Sequence, residues 1–373
     1  MTATLIQIVP RRSISPEGVG DYARLVADRL LRDHDIRTVF ISGSPLPPLE
    51  RVHDEWETHE LAERSSTVLL DTLNRIAGRA AVPILLHLSA YGYQRKGVPL
   101  WLAAALERWR HQNPAPPFVT IFHELFATGP IWGSAFWVGP LQARIAQRIQ
   151  RLSTAGIATT APYAALLDRW RGGQHGSAIA LPVFSTIGDI ENPTPAAERR
   201  ASLAIFGREG IYDAVYRERV DQIAAFVAAN GIDEIIDIGR RTEAPPAMIG
   251  TAPVRCVGEA SIAVLRKELG AARFGLLDYD ADRLAKSTIF AAYCAHGAIP
   301  ICLSDAAGQN DGLRPGQNYL KLDKSDTGVV ADDAALGTLQ QAAKNWYQPH
   351  SLKSSANVIG RLLRQSSATT ERI

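Results

Sequence analysis

Several things that would narrow the role of this chain at once are scarce or missing. Its 373 residues include only three cysteines, Cys256, Cys294 and Cys302, widely spaced and without a C-x-x-C pair. So few thiols, odd in number, exclude a disulfide framework and fit reduced core cysteines in a cytoplasmic protein. No H-E-x-x-H or other paired histidine spacing is present, so no metal is expected. No apolar window approaches the ~20 residues that a membrane span needs. The apolar part of the N-terminal "MTATLIQIVPRR" is too short for a secretory signal. An excess of charge is lacking too: a formal net charge of +2 gives no whole-chain pull toward nucleic acid, and no nucleic-acid partner is expected. There is no short repeat and no low-complexity tract.

What is present is alternation. At roughly 150 residues per domain the length implies two domains. Buried-strand patterns at 4–9, 37–42, 82–89, 118–124 and 155–161 alternate with helical ones, among them Tyr22 to Leu31 and "YAALLDRW". The stretch 184–200 is polar and proline-containing and reads as a linker. Alternation resumes with strands at 201–207, 234–239, 254–258, 273–279 and 298–304. Helices are expected near 214–229, 260–269 and 287–296, and a long helical stretch covers 333–369. Strands alternating with helices predict an α/β fold of two Rossmann-like doubly wound parallel sheets. In such sheets ligands gather beyond the carboxyl ends of the strands, so the chemistry is sought there.

The first such place is "EGVGDYA". Gly18-x-Gly20-x-x-Ala23 has the letters of a dinucleotide fingerprint, but about eight residues separate it from its strand. Ser42-Gly43-Ser44 stands where that motif wants an acid for the ribose. A nicotinamide cofactor is therefore not expected, and a ligand loop or a turn with positive φ remains. After 82–89 come Tyr91, Tyr93, Arg95 and Lys96, flat faces and cations suited to a sugar or an anionic group, or else a solvated loop. His123 and Glu124 end the next strand, where an imidazole can bond a hydroxyl or take its proton.

In the second half, Arg208 follows the first strand. Asp278 and Tyr279 begin an acidic loop that leads to Lys286, Ser287 and Thr288 at the start of an apolar helix. A helix N-terminus with cations nearby is a diphosphate site by charge and by its unpaired N–H groups. Arg144, Arg148 and Arg151 share one side of the helix 141–152. That stripe is either a solvated face or a contact with an anionic membrane surface.

Taken in order, "EGVGDYARLVADRL", "YGYQRKGVPLWL", "TIFHELF", "IFGREG" and "KSTIFAAYCAHGAIPI" resemble the GT-B glycosyltransferases of the glycogen-synthase and bacterial mannosyltransferase type. The resemblance runs over nearly the whole chain. It implies an N-terminal acceptor-binding domain over 1–185 and a nucleotide-sugar-binding domain over 200–340, facing a central cleft. A C-terminal helix over 341–373 would return to the first domain. It implies a metal-independent, retaining transfer from a UDP- or GDP-sugar to a hydroxyl of a glycan, lipid-linked or small-molecule acceptor. His123 and Glu124 would be catalytic. Arg208, Asp278, Tyr279, Lys286, Ser287 and Thr288 would hold the donor, and Gly18, Val19, Gly20, Asp21, Tyr91, Tyr93 and Lys96 the acceptor and sugar. The expected setting is the cytoplasm, with peripheral membrane contact through Arg144, Arg148 and Arg151. The family's pair of glutamates is absent here: Ala272 and Arg273 precede Phe274-Gly275, and "FAAYCAHG" carries no acid. The family's lysine shortly after Arg208 is missing as well. These departures keep two alternatives open, a catalytically weak nucleotide-sugar-binding partner subunit and an epimerase or hydrolase of nucleotide sugars.

Overall fold

The computed structural model describes residues 2–13, 18–51, 54–127, 132–172, 178–207, 215–240, 244–323 and 332–365. The chain divides into two compact units, residues 1–182 with 352–373, and residues 183–351.

The first unit runs β1 (Ala3–Val9), α1 (Gly18–His34), β2 (Ile36–Ser42), β3 (Thr58–Glu60), α2 (Ser66–Ala77), β4 (Ile84–Leu88), α3 (Ala90–Tyr93), α4 (Leu100–Gln112), β5 (Phe118–Phe122), α5 (Ser134–Leu152), β6 (Ala155–Ala158), α6 (Ala161–Arg171) and β7 (Ile179–Ala180). Its strands are all parallel, in the order β3-β2-β1-β4-β5-β6-β7. Helices cover both faces, so β4 and β5 are buried along their whole length and read as apolar runs broken only by His87 and Thr120. One face packs Ile6, Ile8, Leu86 and Phe122 against α2, α4 and α5. The other sets Val9 and Phe40 against Ala23 and Ala27 of α1, with Trp56 closing that cluster.

The second unit repeats the plan with β8 (Arg200–Phe206), α7 (Val220–Ala229), β9 (Glu234–Ile238), β10 (Met248–Ile249), β11 (Ala252–Gly258), α8 (Ile262–Ala271), β12 (Ala272–Asp278), α9 (Thr288–His296), β13 (Ile299–Leu303), β14 (Leu320–Leu322) and α10 (Asp333–Tyr347). The order is β10-β11-β9-β8-β12-β13-β14, parallel except for the β10–β11 edge pair. The helical stretch expected over 333–369 is two helices: Pro349 lies in a short 3-10 turn after α10, and α11 (Leu352–Arg364) follows. That last helix belongs to the first unit. Gly360 lets it close on His34 of α1, whose Nε2 is 3.0 Å from Asn357 Oδ1 and whose carbonyl accepts from Arg364.

The proline-containing stretch 184–200 is fixed to the second unit along its length. Buried Arg199 donates to the carbonyls of Thr194, Leu269, Ala272 and His296, so one guanidinium satisfies the C-terminal ends of α8 and α9. Burial lowers its pKa to about 10, so it stays charged at neutral pH.

Each sheet changes direction between its two central strands, β1 and β4 in one unit and β8 and β12 in the other. Helices leave to opposite faces there and the strands part. A buried tyrosine fills each parting. Tyr93 donates its hydroxyl toward the carbonyls of Ile8, 3.1 Å away, and His87, 3.0 Å away. Tyr293 reaches Leu276 O at 2.7 Å and Ala204 O at 3.3 Å, and accepts from Phe206 N–H at 3.0 Å. Each ring lies on a glycine: a Cβ on Gly43 would sit 2.7 Å from Tyr93 Cδ1, and one on Gly275 would sit 2.3 Å from Tyr293 Cδ1. Gly275→Ala is therefore expected to destabilise the second unit by about 1–3 kcal/mol through overpacking. A lowered thermal midpoint for this variant is the check, and an unchanged midpoint would mean that the ring can move.

Candidate functional site

The residues that line the carboxyl edge of the first sheet form a chain of polar contacts through an apolar interior. Thr38 on β2, Gln7 on β1 and His87 on β4 are fully buried. Gln7 Nε2 donates to Thr38 Oγ1 at 2.9 Å, and Gln7 Oε1 lies 2.9 Å from His87 Nε2. His87 Nδ1 is then 3.2 Å from Nε2 of His123, whose ring stacks on it with centroids 5.5 Å apart. With the Gln7 carbonyl toward His87, His87 carries its proton on Nε2, and its Nδ1 accepts from His123 Nε2–H. The amide orientation of Gln7 thus sets the tautomer of both rings. Burial, and then the neighbouring His123, hold the His87 pKa well below its usual value.

Tyr22 closes the pair from the side. It is buried edge-on to His87 and His123, with centroids at 5.9 and 5.2 Å. Tyr22 belongs to the first turns of α1, because the helix begins at Gly18 rather than at Tyr22 as the sequence suggests. Gly18 and Gly20 are thus helical. The expectation of a glycine loop is corrected on that ground: the small residues open a helix beside the histidine pair. Asp21 in that first turn faces the positive end of the helix dipole.

Tyr91 and Lys96 are exposed beyond β4, as is Glu124 beyond β5. Tyr93 is fully buried with its hydroxyl spent on two carbonyls, so its assignment as a sugar contact is corrected to a support of the edge. Gln142 of α5 ties this edge together, donating to Lys96 O and accepting from Ala127 N–H. Beyond β2 and β3 lies a pocket of about 540 Å³ lined by Arg12, Arg51, Arg75 and Glu60 among others. Arg12 pairs with Asp54 and Arg51 with Glu60, so much of its charge is already offset.

At the carboxyl edge of the second sheet, Asp278 ends β12, Tyr279 follows, and a 3-10 turn over Ala281–Lys286 leads into α9. Ser287 is the N-cap: its hydroxyl accepts from Phe290 N–H at 3.1 Å and is buried. That cap bond takes up the Phe290 N–H, and the backbone N–H groups of Thr288 and Ile289 precede it at the start of the helix. Burial raises the Asp278 carboxyl above the usual aspartate range, against the pull of Arg219. Arg219, which also pairs with Asp305 at 3.3 Å, is a cation at this edge that the sequence did not single out. Arg208 lies outside the described residues. Among the described residues, no cluster of three His, Cys, Asp or Glu side chains is placed to hold a metal ion.

Of the arginine stripe, Arg148 is bound through two contacts, 2.8 and 2.6 Å, to Glu107 of α4, while Arg144 and Arg151 are exposed. Sequence reading also missed His87, Gln7 and Tyr22. The available signal was a glutamine and a histidine inside otherwise apolar strands, "TLIQIV" and "VPILLHLS", where a polar side chain needs a partner.

A histidine held neutral in the native state binds fewer protons than the unfolded chain below pH 6.5, so its contribution to stability is lost as pH falls. His87 is expected to stay neutral in imidazole nitrogen NMR as the pH falls through 6.5, where a free imidazole takes up its proton. The fall in thermal midpoint between pH 7 and pH 5 is expected to flatten in His87→Gln. A His87 that titrates at its usual pKa would refute the buried pair.

No protein family matches the sequence, and no curated protein does so. Solved structures do match. An alpha-glucosyltransferase (AGT) in complex with UDP superposes with a TM-score of 0.59 at 10% identity, over 97% of this chain and 100% of that one. HepE of Anabaena in complex with UDP and glucose gives 0.59 at 13% identity, over 96% and 98%. TarM gives 0.63 at 7% identity, over 98% and 99%. Similarity at this level of identity shows the fold: this chain has the two-unit α/β architecture of the GT-B glycosyltransferases.

Proposed function

We propose that the protein is a cytoplasmic glycosyltransferase that moves a sugar from a UDP- or GDP-sugar to a hydroxyl of a glycan, lipid-linked or small-molecule acceptor. The observation that carries this reading is the His87–His123 pair. It stands at the switch point of the first sheet, in a chain whose two-unit fold is shared by an alpha-glucosyltransferase and by HepE, both solved in complex with UDP. A ring fixed in tautomer and orientation is suited to hydrogen-bond a hydroxyl or to take its proton at the reacting carbon. His123 has that role here, with Glu124 beside it. Gly18, Val19, Gly20 and Asp21 at the start of α1, together with Tyr91 and Lys96, line the acceptor side. Tyr22 and Tyr93 keep the edge in place.

The donor falls to the second unit. Arg208, Lys286 and the backbone N–H groups at Thr288 would meet the leaving diphosphate, and Asp278 and Tyr279 the rest of the nucleotide sugar. Fixed positive charge aimed at a leaving group supplies the electrostatic stabilisation such transfers need. Turnover that survives EDTA is the expected mark of this arrangement. Retention of anomeric configuration is the outcome expected of the branch it resembles.

A second reading rests on α9, which carries no acid between Thr288 and His296. The chain would then bind nucleotide sugar as a weak or inactive partner subunit, or act on it as an epimerase or hydrolase. Thermal shift with UDP, GDP and their sugars comes first, followed by release of nucleoside diphosphate with and without acceptors. One alpha-glucosyltransferase structure holds UDP-glucose and DNA, so the acceptor screen includes DNA beside glycans and lipid-linked sugars. His123→Ala is expected to lower transfer by about a hundredfold or more and to leave nucleotide affinity unchanged. Arg208→Ala is expected to weaken both. The reverse pattern would overturn these roles, and absence of all nucleotide binding would overturn the reading itself.

A further inference from the structure

Ten large apolar side chains stand exposed among the described residues, and six of them gather in one region of the first unit: Tyr91, Leu100, Trp132, Phe136, Trp137 and Leu141. Trp132 is 86% exposed and Trp137 67%. Gln142 binds the two segments that carry them, because its amide reaches Lys96 O while Gly97 packs against its side chain and against Tyr91. An exposed cluster of aromatic side chains marks a surface that meets something less polar than water.

The helix α5 adds a direction to this surface. Trp137, Leu141, Arg144, Arg148 and Arg151 follow one another at steps of four and three, a single stripe of the helix. The stripe is aromatic and aliphatic at its N-terminal end and cationic further on. Arg148 is held by Glu107, but Arg144 is exposed and pairs with no acid among the described residues, and the same holds for Arg95 and Lys96 beside Tyr91. Aromatic residues and arginine also mark protein interfaces, but lysine is depleted there. Tryptophan beside arginine and lysine is instead the composition of the headgroup zone of a bilayer, where the ring sits at the boundary and the cation meets phosphate.

We propose that this surface, Trp132, Phe136, Trp137 and Leu141 with Arg95, Lys96 and Arg144 at its rim, seats the protein on an anionic lipid bilayer. No described helix is long and apolar enough to cross a membrane, so the seating is peripheral. This inference does not depend on the transferase reading, and its test contains no sugar donor.

The intact protein is mixed with vesicles of phosphatidylcholine alone and of phosphatidylcholine with phosphatidylglycerol. Binding is expected to the second kind, to weaken as salt is raised, and to be accompanied by quenching of tryptophan emission when the acyl chains are brominated. Trp132→Ser with Trp137→Ser is expected to lower the partition by about tenfold or more while leaving the thermal midpoint unchanged. Arg144→Glu is expected to lower it by about fivefold or more, since each cation near an anionic surface contributes about that factor. Failure to bind the anionic vesicles, or equal binding by the double variant, would overturn the proposal. So would self-association of the wild type that the double variant loses, which would give the surface to a second copy of the chain.

Discussion

A parallel doubly wound sheet must open where its strand order reverses, because the helices on either side of that point leave to opposite faces. Both units of this protein meet that constraint with the same interaction, a buried tyrosine whose hydroxyl bonds main-chain carbonyls of the two parting strands. In the first unit Tyr93 bonds Ile8 O and His87 O, and in the second Tyr293 bonds Ala204 O and Leu276 O. The ring can lie there only because Gly43 and Gly275 carry no side chain. Water would otherwise fill the opening and solvate the strand ends. With the tyrosine in place, the carboxyl edge beyond it is a rigid platform, which is what a set of functional groups requires.

On that platform the first unit places a polar chain that an apolar core tolerates only because every member has a partner. Thr38, Gln7, His87 and His123 come from four neighbouring strands or strand ends and meet in a line across the sheet. The line costs desolvation of one imidazole, visible in the lowered pKa of His87. In return it fixes the orientation of a second imidazole at the edge. The second unit has no such line. It offers a capped helix start, a carboxyl raised by burial at Asp278 and cations close by, an arrangement suited to charge rather than to proton transfer.

Periodicity recovered the long elements because burial on both faces leaves an unmistakable apolar run, as in "FVTIF" and "IPICL". It missed α2, "STVLLDTLNRIA", and the short strand Thr58–Glu60, whose polar residues hide their place at the sheet edge. The start of α1 was misread because two glycines near a strand suggest a loop, whereas here the first helical turn accommodates both. Tyr91 and Tyr93 look alike in sequence, two residues apart around a glycine. One turn of helix sends Tyr91 to solvent and Tyr93 into the sheet, and no local pattern separates them.

The sequence by itself determined the alternation of strands and helices and the two α/β units. These follow from hydrophobic period and turn chemistry, which act over a few residues. Only the tertiary structure decided which groups His123 answers to, since Gln7, Tyr22 and His87 lie 116, 101 and 36 positions away in the chain and are brought to it by strand order. It also decided that one arginine of the α5 stripe is paired while the aromatic residues before it are exposed. Pairing, burial and exposure depend on neighbours supplied by remote segments, and a chain read in one dimension does not contain them.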